Sequence, residues 1–159
     1  MGSGKTTIGR RIANRLKFDF LDLDSQIEKH EKKTIDEIFS QRGEIIFREV
    51  EHTYLKEISS IEKNIIISTG GGTPCYYNNM DIINHSGKSV YLQMHPHSLA
   101  KRIEYSKRER PLLKGMTEEE IEHFIETKLI EREKYYLLAN YIIKGESLDM
   151  DELVRLLGH

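Results

Sequence analysis

Cysteine is nearly absent from this sequence. Cys75 stands alone among 159 residues, which excludes an intrachain disulfide framework and a zinc site built on cysteines. There is no basic excess: 24 Lys and Arg face 26 Asp and Glu, for a formal net charge of -2. A chain that grips nucleic acid by its phosphates carries a basic surplus or a basic face, so no nucleic-acid partner is expected. No apolar run is long enough to cross a bilayer. Residues 1–16 are charged and lack the apolar stretch of a secretory signal. No membrane partner is expected, and the expected location is cytoplasmic. Repeats, linkers and low-complexity segments are missing too, which leaves one domain over residues 1–159, expected to be a monomer. With 38% hydrophobic and 31% charged residues, the composition is that of a soluble globular domain with one core.

What the chain does have begins at its first residues, Met1-Gly2-Ser3-Gly4-Lys5-Thr6-Thr7. Gly4-Lys5-Thr6 matches the second half of the phosphate-loop pattern G-x-x-x-x-G-K-[ST], which follows a buried strand and opens a helix. The first glycine of that pattern falls before Met1, and so does the strand. Either the match is chance at a flexible terminus, or the natural protein begins about ten residues upstream, one strand plus its turn, with Met1 internal. The second is expected, because Ile8, Ile12, Ala13 and Leu16 lie on one face of the helix such a loop feeds. Small residues let backbone N–H groups close around phosphate oxygens, and the helix N-terminus adds partial positive charge. Lys5 then reaches the β- and γ-phosphates, and the Thr6 hydroxyl holds Mg2+. A dinucleotide fingerprint fits worse. It needs a third small residue where Thr7 stands, and it puts a lysine in the tight turn.

Strands and helices alternate along the rest of the chain, which argues a parallel sheet with helices on both faces. Strands are expected over residues 18–22, 65–68, 89–94 and 141–143. Ile65-Ile66-Ile67-Ser68 reads as a strand buried on both faces. Ser25 with Glu28 and Thr34 with Glu37 form capping-box pairs that start two short helices. Helical spacing runs from Glu44 to about Ile61, and further helices are expected over residues 79–85, 98–105, 117–139 and 149–157. The least patterned stretch, residues 106–116, carries Pro111 and Gly115 and has the character of a lid between two helices.

Several constellations can carry chemistry. Asp22-Leu23-Asp24 ends the first expected strand, where period-2 geometry puts both carboxylates on one side and where open parallel sheets bind ligands. Helix capping by Asp24 is the plainer reading. The strand ending at Ser68 lacks the terminal aspartate that holds Mg2+ in many nucleotide hydrolases, and Asp22 can replace it. Gly70-Gly71-Gly72 is either a plain turn or a place where backbone approaches an anion closely. Arg48 can pair with Glu51 three residues on, a simple helical ion pair, or be held still by it for a ligand. Arg132 sits between Glu131 and Glu133 with the same two readings. Arg110 follows Lys107 and Arg108 in the lid stretch, where a closing loop delivers a cation to phosphate unless the run is simply solvated. His95 and His97 lack further ligands at metal spacing; Pro96 between them starts a helix. Cys75 reads as an incidental buried thiol. Tyr135, Tyr136 and Tyr141 read as packing residues.

Taken in order, these segments resemble the shikimate kinases, of the nucleoside-monophosphate-kinase-like branch of phosphate-loop proteins, over nearly all 159 residues. The motifs are residues 2–7, Phe20-Leu21-Asp22-Leu23-Asp24, Gly43-Glu44 through Phe47-Arg48-Glu49-Val50-Glu51, Ser68-Thr69-Gly70-Gly71-Gly72, Arg110-Pro111-Leu112-Leu113 and Arg132. The resemblance implies a three-layer α/β/α fold with a parallel sheet of order 2-3-1-4-5, strand 1 being absent from this chain. It implies phosphorylation of the shikimate 3-hydroxyl in aromatic amino-acid biosynthesis, with ATP as co-substrate and Mg2+ as cofactor. By the same resemblance Gly2, Ser3, Gly4, Lys5, Thr6 and Thr7 hold ATP. Thr6 binds the metal directly, and Asp22 and Ser68 bind it through water. Asp24 receives the hydrogen bond of the attacking hydroxyl as base. Arg48 and Arg132 clamp the carboxylate beside Gly70, Gly71 and Gly72. Arg110 closes with the lid, residues 106–117, and counts with Lys5 and Asp24 as catalytic. Lys101 or Arg102 lies near the adenine, with Lys144-Gly145 completing that pocket, and residues 24–61 form the shikimate-binding part. A gluconate or nucleotide kinase of the same branch, and a nucleotide-binding module without catalysis, are the rival readings.

Without a first strand, its neighbours lose a partner and the core opens. This chain is therefore expected to fold poorly or be nearly inactive, and an upstream-extended chain to exceed it in both melting temperature and turnover. Equal values for the two chains, by thermal denaturation and steady-state assay, would contradict that.

Overall fold

The computed structural model describes residues 2–105, 113 and 115–158. Four four-residue strands alternate with seven α-helices among them. Helix α1 (Lys5–Leu16) leads into β1 (Asp19–Asp22), α2 (Leu23–Glu31) and α3 (Ile35–Ser59). Then come β2 (Ile65–Ser68), α4 (Asn79–Ser86), β3 (Val90–Gln93) and α5 (Pro96–Glu104). The chain finishes with α6 (Glu118–Tyr136), β4 (Tyr141–Lys144) and α7 (Met150–Leu157). No helix among the described residues is long and apolar enough to cross a membrane.

The strands make two parallel pairs. β1 lies beside β2 with Phe20 opposite Ile66, Leu21 opposite Ile67 and Asp22 opposite Ser68. β3 lies beside β4 with Leu92 opposite Ile143. Successive side chains on a strand point to opposite faces, and this sorts the helices into layers. Phe20 and Ile66 meet α1 at Gly9, where an added Cβ would stand 2.8 Å from the Phe20 ring. Leu21 and Ile67 face the other way, into a core built by α2 and α3 from Leu23, Ile27, Ile38, Phe47, Leu55 and Ile58. Helix, sheet, helix is the three-layer arrangement expected. A second core, Met94, Leu99, Ala100, Ile103, Leu113, Ile121 and Ile125, joins α5 to α6.

Among the described residues β2 pairs only with β1, and β3 only with β4. A cleft of about 340 Å³ lies between the two pairs, lined on its sides by Ile65, Ile66, Ile67, Val90, Tyr91 and Leu92. Ile65, Ile66 and Ile67 are accordingly half-buried rather than sealed on both faces. A strand with one free edge keeps part of its surface open.

Local signals locate most boundaries. Thr34 with Glu37 and Thr117 with Glu120 form complete capping boxes, and Pro96 opens α5. One boundary needs correction. α2 is capped by Asp22, not by Ser25: the Asp22 carboxylate accepts from the Ser25 N–H at 3.2 Å, so the cap sits three residues sooner and the helix starts at Leu23. The short helix after Thr34 and the one from Glu44 are the two halves of α3, separated by a kink at Gly43, where φ 80 and ψ 170 leave helical space.

Ile27 is fully buried at the centre of the α2–α3 core. Ile27→Ala is expected to cost about 2–5 kcal/mol, read as a shift in the urea midpoint at constant m-value.

Candidate active site

The phosphate loop takes its shape from two glycines. Gly2 and Gly4 adopt left-handed conformations, φ 69 and φ 81, which side chains disfavour. Ser3 is buried between them. Gly4 occupies the N-cap of α1 with no side-chain cap, so the first N–H groups of a three-turn helix remain for an anion. Lys5 and Thr6 lie in that first turn, with Thr7 exposed beside them. Arg102 reaches across from α5, its Nη1 donating to the Ser3 carbonyl at 3.5 Å. At the far end of the strand pair, Gly145 packs against Met94, which an added Cβ would meet at 2.6 Å.

Three hard oxygens meet beside the loop. The Thr6 hydroxyl donates to Asp22 Oδ2 at 2.8 Å and lies 3.5 Å from Ser68 Oγ. The pairing of Asp22 with Ser68 across β1 and β2 puts the latter two side by side. The described residues contain no cluster of three or more His, Cys, Asp or Glu side chains. A metal here would rest on one carboxylate, two hydroxyls, water and phosphate, a donor set that suits Mg2+. His95 and His97 belong to no metal cluster. His95 caps α5, and His97 Nδ1 pairs with Glu122 at 2.9 Å.

The second half of the site is built around Arg48, only 8% exposed. Its Nη1 donates to Glu51 Oε2 at 2.8 Å. Glu51, 1% exposed, also accepts from the Thr73 hydroxyl at 2.5 Å. Arg48 Nε and Nη2 donate to Glu44 Oε1 at 3.3 and 3.1 Å, and the Tyr76 hydroxyl donates to the same oxygen at 2.8 Å. The Tyr76 ring lies 4.2 Å from the guanidinium carbon, and the Phe47 ring 5.0 Å, both within cation–π range. Burial acts to lower the Arg48 pKa, yet the Glu51 and Glu44 carboxylates outweigh it and the net shift is upward. The Tyr76 hydrogen bond and the Arg48 charge hold Glu44 below its ordinary value against opposing burial.

The glycine triplet wraps this centre. A Cβ on Gly72 would stand 2.5 Å from Arg48 Nη2. One on Gly70 would stand 3.2 Å from both Asp24 Oδ1 and Glu51 Oε1. Close approach, rather than a left-handed turn, is what the triplet supplies. It also brings Asp24 to the Arg48 side of the site. β1 ends at Asp22 and Asp24 sits in the first turn of α2, so period-2 spacing does not link the two carboxylates. Asp22 faces Thr6, and Asp24 faces Gly70.

Arg132, on α6, lines the same cleft as Gly70, Gly71 and Lys5. Its charge acts on Glu44, Cys75 and Tyr136. Burial pushes the Cys75 thiol up, with Arg132 and Arg48 opposing, which agrees with an unreactive thiol. Arg110 and most of the expected lid lie outside the described residues. Sequence reasoning took Tyr136 for a packing residue, and its hydroxyl also donates to the Gly71 carbonyl at 2.5 Å; it assigned no role to Glu44, Tyr76 or Thr73. Of these only Glu44 carried a local signal, its position four residues before Arg48.

A glycine loop opening a helix, side-chain oxygens gathered at the strand ends and a three-layer parallel fold define a phosphate-loop kinase. The family model for shikimate kinase matches residues 1–157. This chain belongs to the shikimate kinase family. A shikimate kinase of Bacteroides thetaiotaomicron is 44% identical over 149 residues, spanning 94% of this chain and 85% of that protein. One of Flavobacterium johnsoniae is 40% identical, spanning 98% and 91%. A crystal structure of the Bacteroides thetaiotaomicron shikimate kinase superposes with a TM-score of 0.92 over 99% of this chain and 91% of its own, at 41% identity. A shikimate kinase of Acinetobacter baumannii in complex with shikimate gives 0.85 over 98% and 85%, at 33% identity.

Removing one partner of a buried pair strands the other charge. Glu51→Gln is expected to destabilise the fold by about 3–5 kcal/mol, measured by denaturant titration. A loss under about 1 kcal/mol would mean that the pair is relaxed by water.

Proposed function

We propose that this protein transfers the γ-phosphoryl group of ATP to the 3-hydroxyl of shikimate. The observation that carries the reading is Arg48, fixed by a buried carboxylate and pressed against Gly72, next to Gly70 and Gly71, which line a cleft together with Ser3 and Lys5 of the phosphate loop. A rigid guanidinium suits a planar carboxylate, and the phosphate loop suits a nucleotide. A small hydroxylated carboxylic acid satisfies both ends.

The hydroxyl oxygen bonds to the γ-phosphorus as the bond to the ADP oxygen breaks, and the hydroxyl proton passes to Asp24. Asp24, near Gly70, orients the hydroxyl and takes that proton late in the transfer. Arg48 and Arg132 fix the carboxylate, so that only one hydroxyl reaches the phosphorus. Gly2, Ser3, Gly4 and the N–H groups of the first turn of α1 receive the phosphates, with Lys5 balancing their charge. Thr6, Asp22 and Ser68 would hold Mg2+, Asp22 and Ser68 through water. When bound, the ion neutralises charge on the β- and γ-phosphates. Arg102 holds the loop from behind and stands next to the nucleotide. Arg110 is the further cation proposed for the phosphates.

The test is ADP release with Mg2+ and ATP, with and without shikimate. Release should depend on shikimate. It should fall about 100-fold or more in Asp24→Ala and Lys5→Ala. In Arg48→Ala the loss should appear mainly in KM. Turnover with gluconate or a nucleoside monophosphate but none with shikimate would overturn the reading.

A further inference from the structure

Arg48 carries two carboxylates, and they are not alike. Glu51 is sealed in the protein and takes Nη1. Glu44 is 52% exposed in its side chain and takes Nε and Nη2 with a single oxygen. The Nε–Nη2 edge is one that a planar carboxylate ligand binds with two parallel hydrogen bonds. Glu44 therefore stands where the carboxylate of a substrate has to go.

Charge gives the same answer. Without substrate, Arg48 and Arg132 stand near three carboxylates, Glu44, Glu51 and Asp24, the last beside Glu51 at Gly70. A fourth carboxylate added to that set meets no net attraction and loses its hydration. If Glu44 withdraws as the ligand arrives, the number of carboxylates stays the same. The backbone allows it. Gly43, immediately before Glu44, leaves helical space at φ 80 and ψ 170 and divides α3 there. A Cβ at Gly43 would meet nothing within 4 Å, so the break is not held by packing at that residue. Glu44 is the first residue of the segment after that break and its side chain is half-exposed, so the side chain can turn outward while Arg48 and Glu51 stay buried on the following turns. Tyr76, which donates to Glu44 at 2.8 Å, closes the other side.

We propose that Glu44 is a displaceable internal carboxylate: it occupies the outer edge of Arg48 until a ligand carboxylate replaces it, and so sets which ligands the site admits. A neutral polyol has nothing with which to displace it, and a weakly held anion does not compete. Glu44 is a specificity-determining residue, not a catalytic one. The proposal rests on the reading of Arg48 as the carboxylate clamp.

The experiment is calorimetric titration with shikimate, with its methyl ester and with acetate as competitor, on the wild type, Glu44→Gln and Arg48→Lys. If Glu44 holds Arg48 for nine-tenths of the time, its removal tightens shikimate about tenfold. Acetate should then begin to compete at about tenfold lower concentration, while the ester keeps its wild-type affinity. Weaker shikimate binding in Glu44→Gln, no change, or an equal shift for acid and ester would each overturn the proposal. Failure of the clamp itself looks different. Shikimate would then bind Arg48→Lys as it binds the wild type, or the ester would bind the wild type as well as the acid does.

Discussion

The buried pair of Arg48 and Glu51 is the constraint on which the rest of the site depends. Withdrawing two charges from water costs several kcal/mol for each ion, and mutual attraction offsets this only when the remaining polar atoms are satisfied. Here they are. Glu51 takes one guanidinium nitrogen and the Thr73 hydroxyl, and aromatic rings cover the guanidinium. An apolar pair of the same volume would stabilise the fold as well or better. What the ion pair supplies is a guanidinium that does not move, its Nε–Nη2 edge turned to the half-exposed Glu44.

The surroundings follow from how closely the chain packs around that guanidinium. Residues 70–72 approach Asp24, Glu51 and Arg48 too closely for ordinary side chains at Gly70 and Gly72. Tyr136 ties α6 to the same loop through the Gly71 carbonyl, which brings Arg132 into the cleft. The loop follows directly on β2, whose last residue, Ser68, pairs with Asp22 of β1. One strand pair thus connects the three oxygens gathered beside Thr6 to the glycine triplet beside Arg48. The two halves of the site are joined by four residues of parallel sheet.

Most of the fold was legible in the sequence, because its signals are local. Capping boxes at Thr34 and Thr117, the proline at 96 and the isoleucine run at 65–67 each act within one helical turn or one strand. The cap on α2 was misplaced because Ser25 with Glu28 imitates a capping box, while Asp22 competes for the same N–H group. The phosphate loop, Asp22, Ser68, Arg48 and the glycines were legible through their order along the chain. Tyr76, Tyr136 and Thr73 were not. Their partners lie 32, 65 and 22 residues away, and no periodicity reports such contacts. Nor does spacing tell that Asp22 and Asp24 part company, since that follows from where β1 stops.

A crystal structure of this protein with shikimate bound tests the central claim most directly. The account predicts the substrate carboxylate on the Nε–Nη2 edge of Arg48, with the 2.8 Å bond from Arg48 to Glu51 retained. A carboxylate bound away from Arg48, or an Arg48 drawn off Glu51 to meet it, would contradict the account.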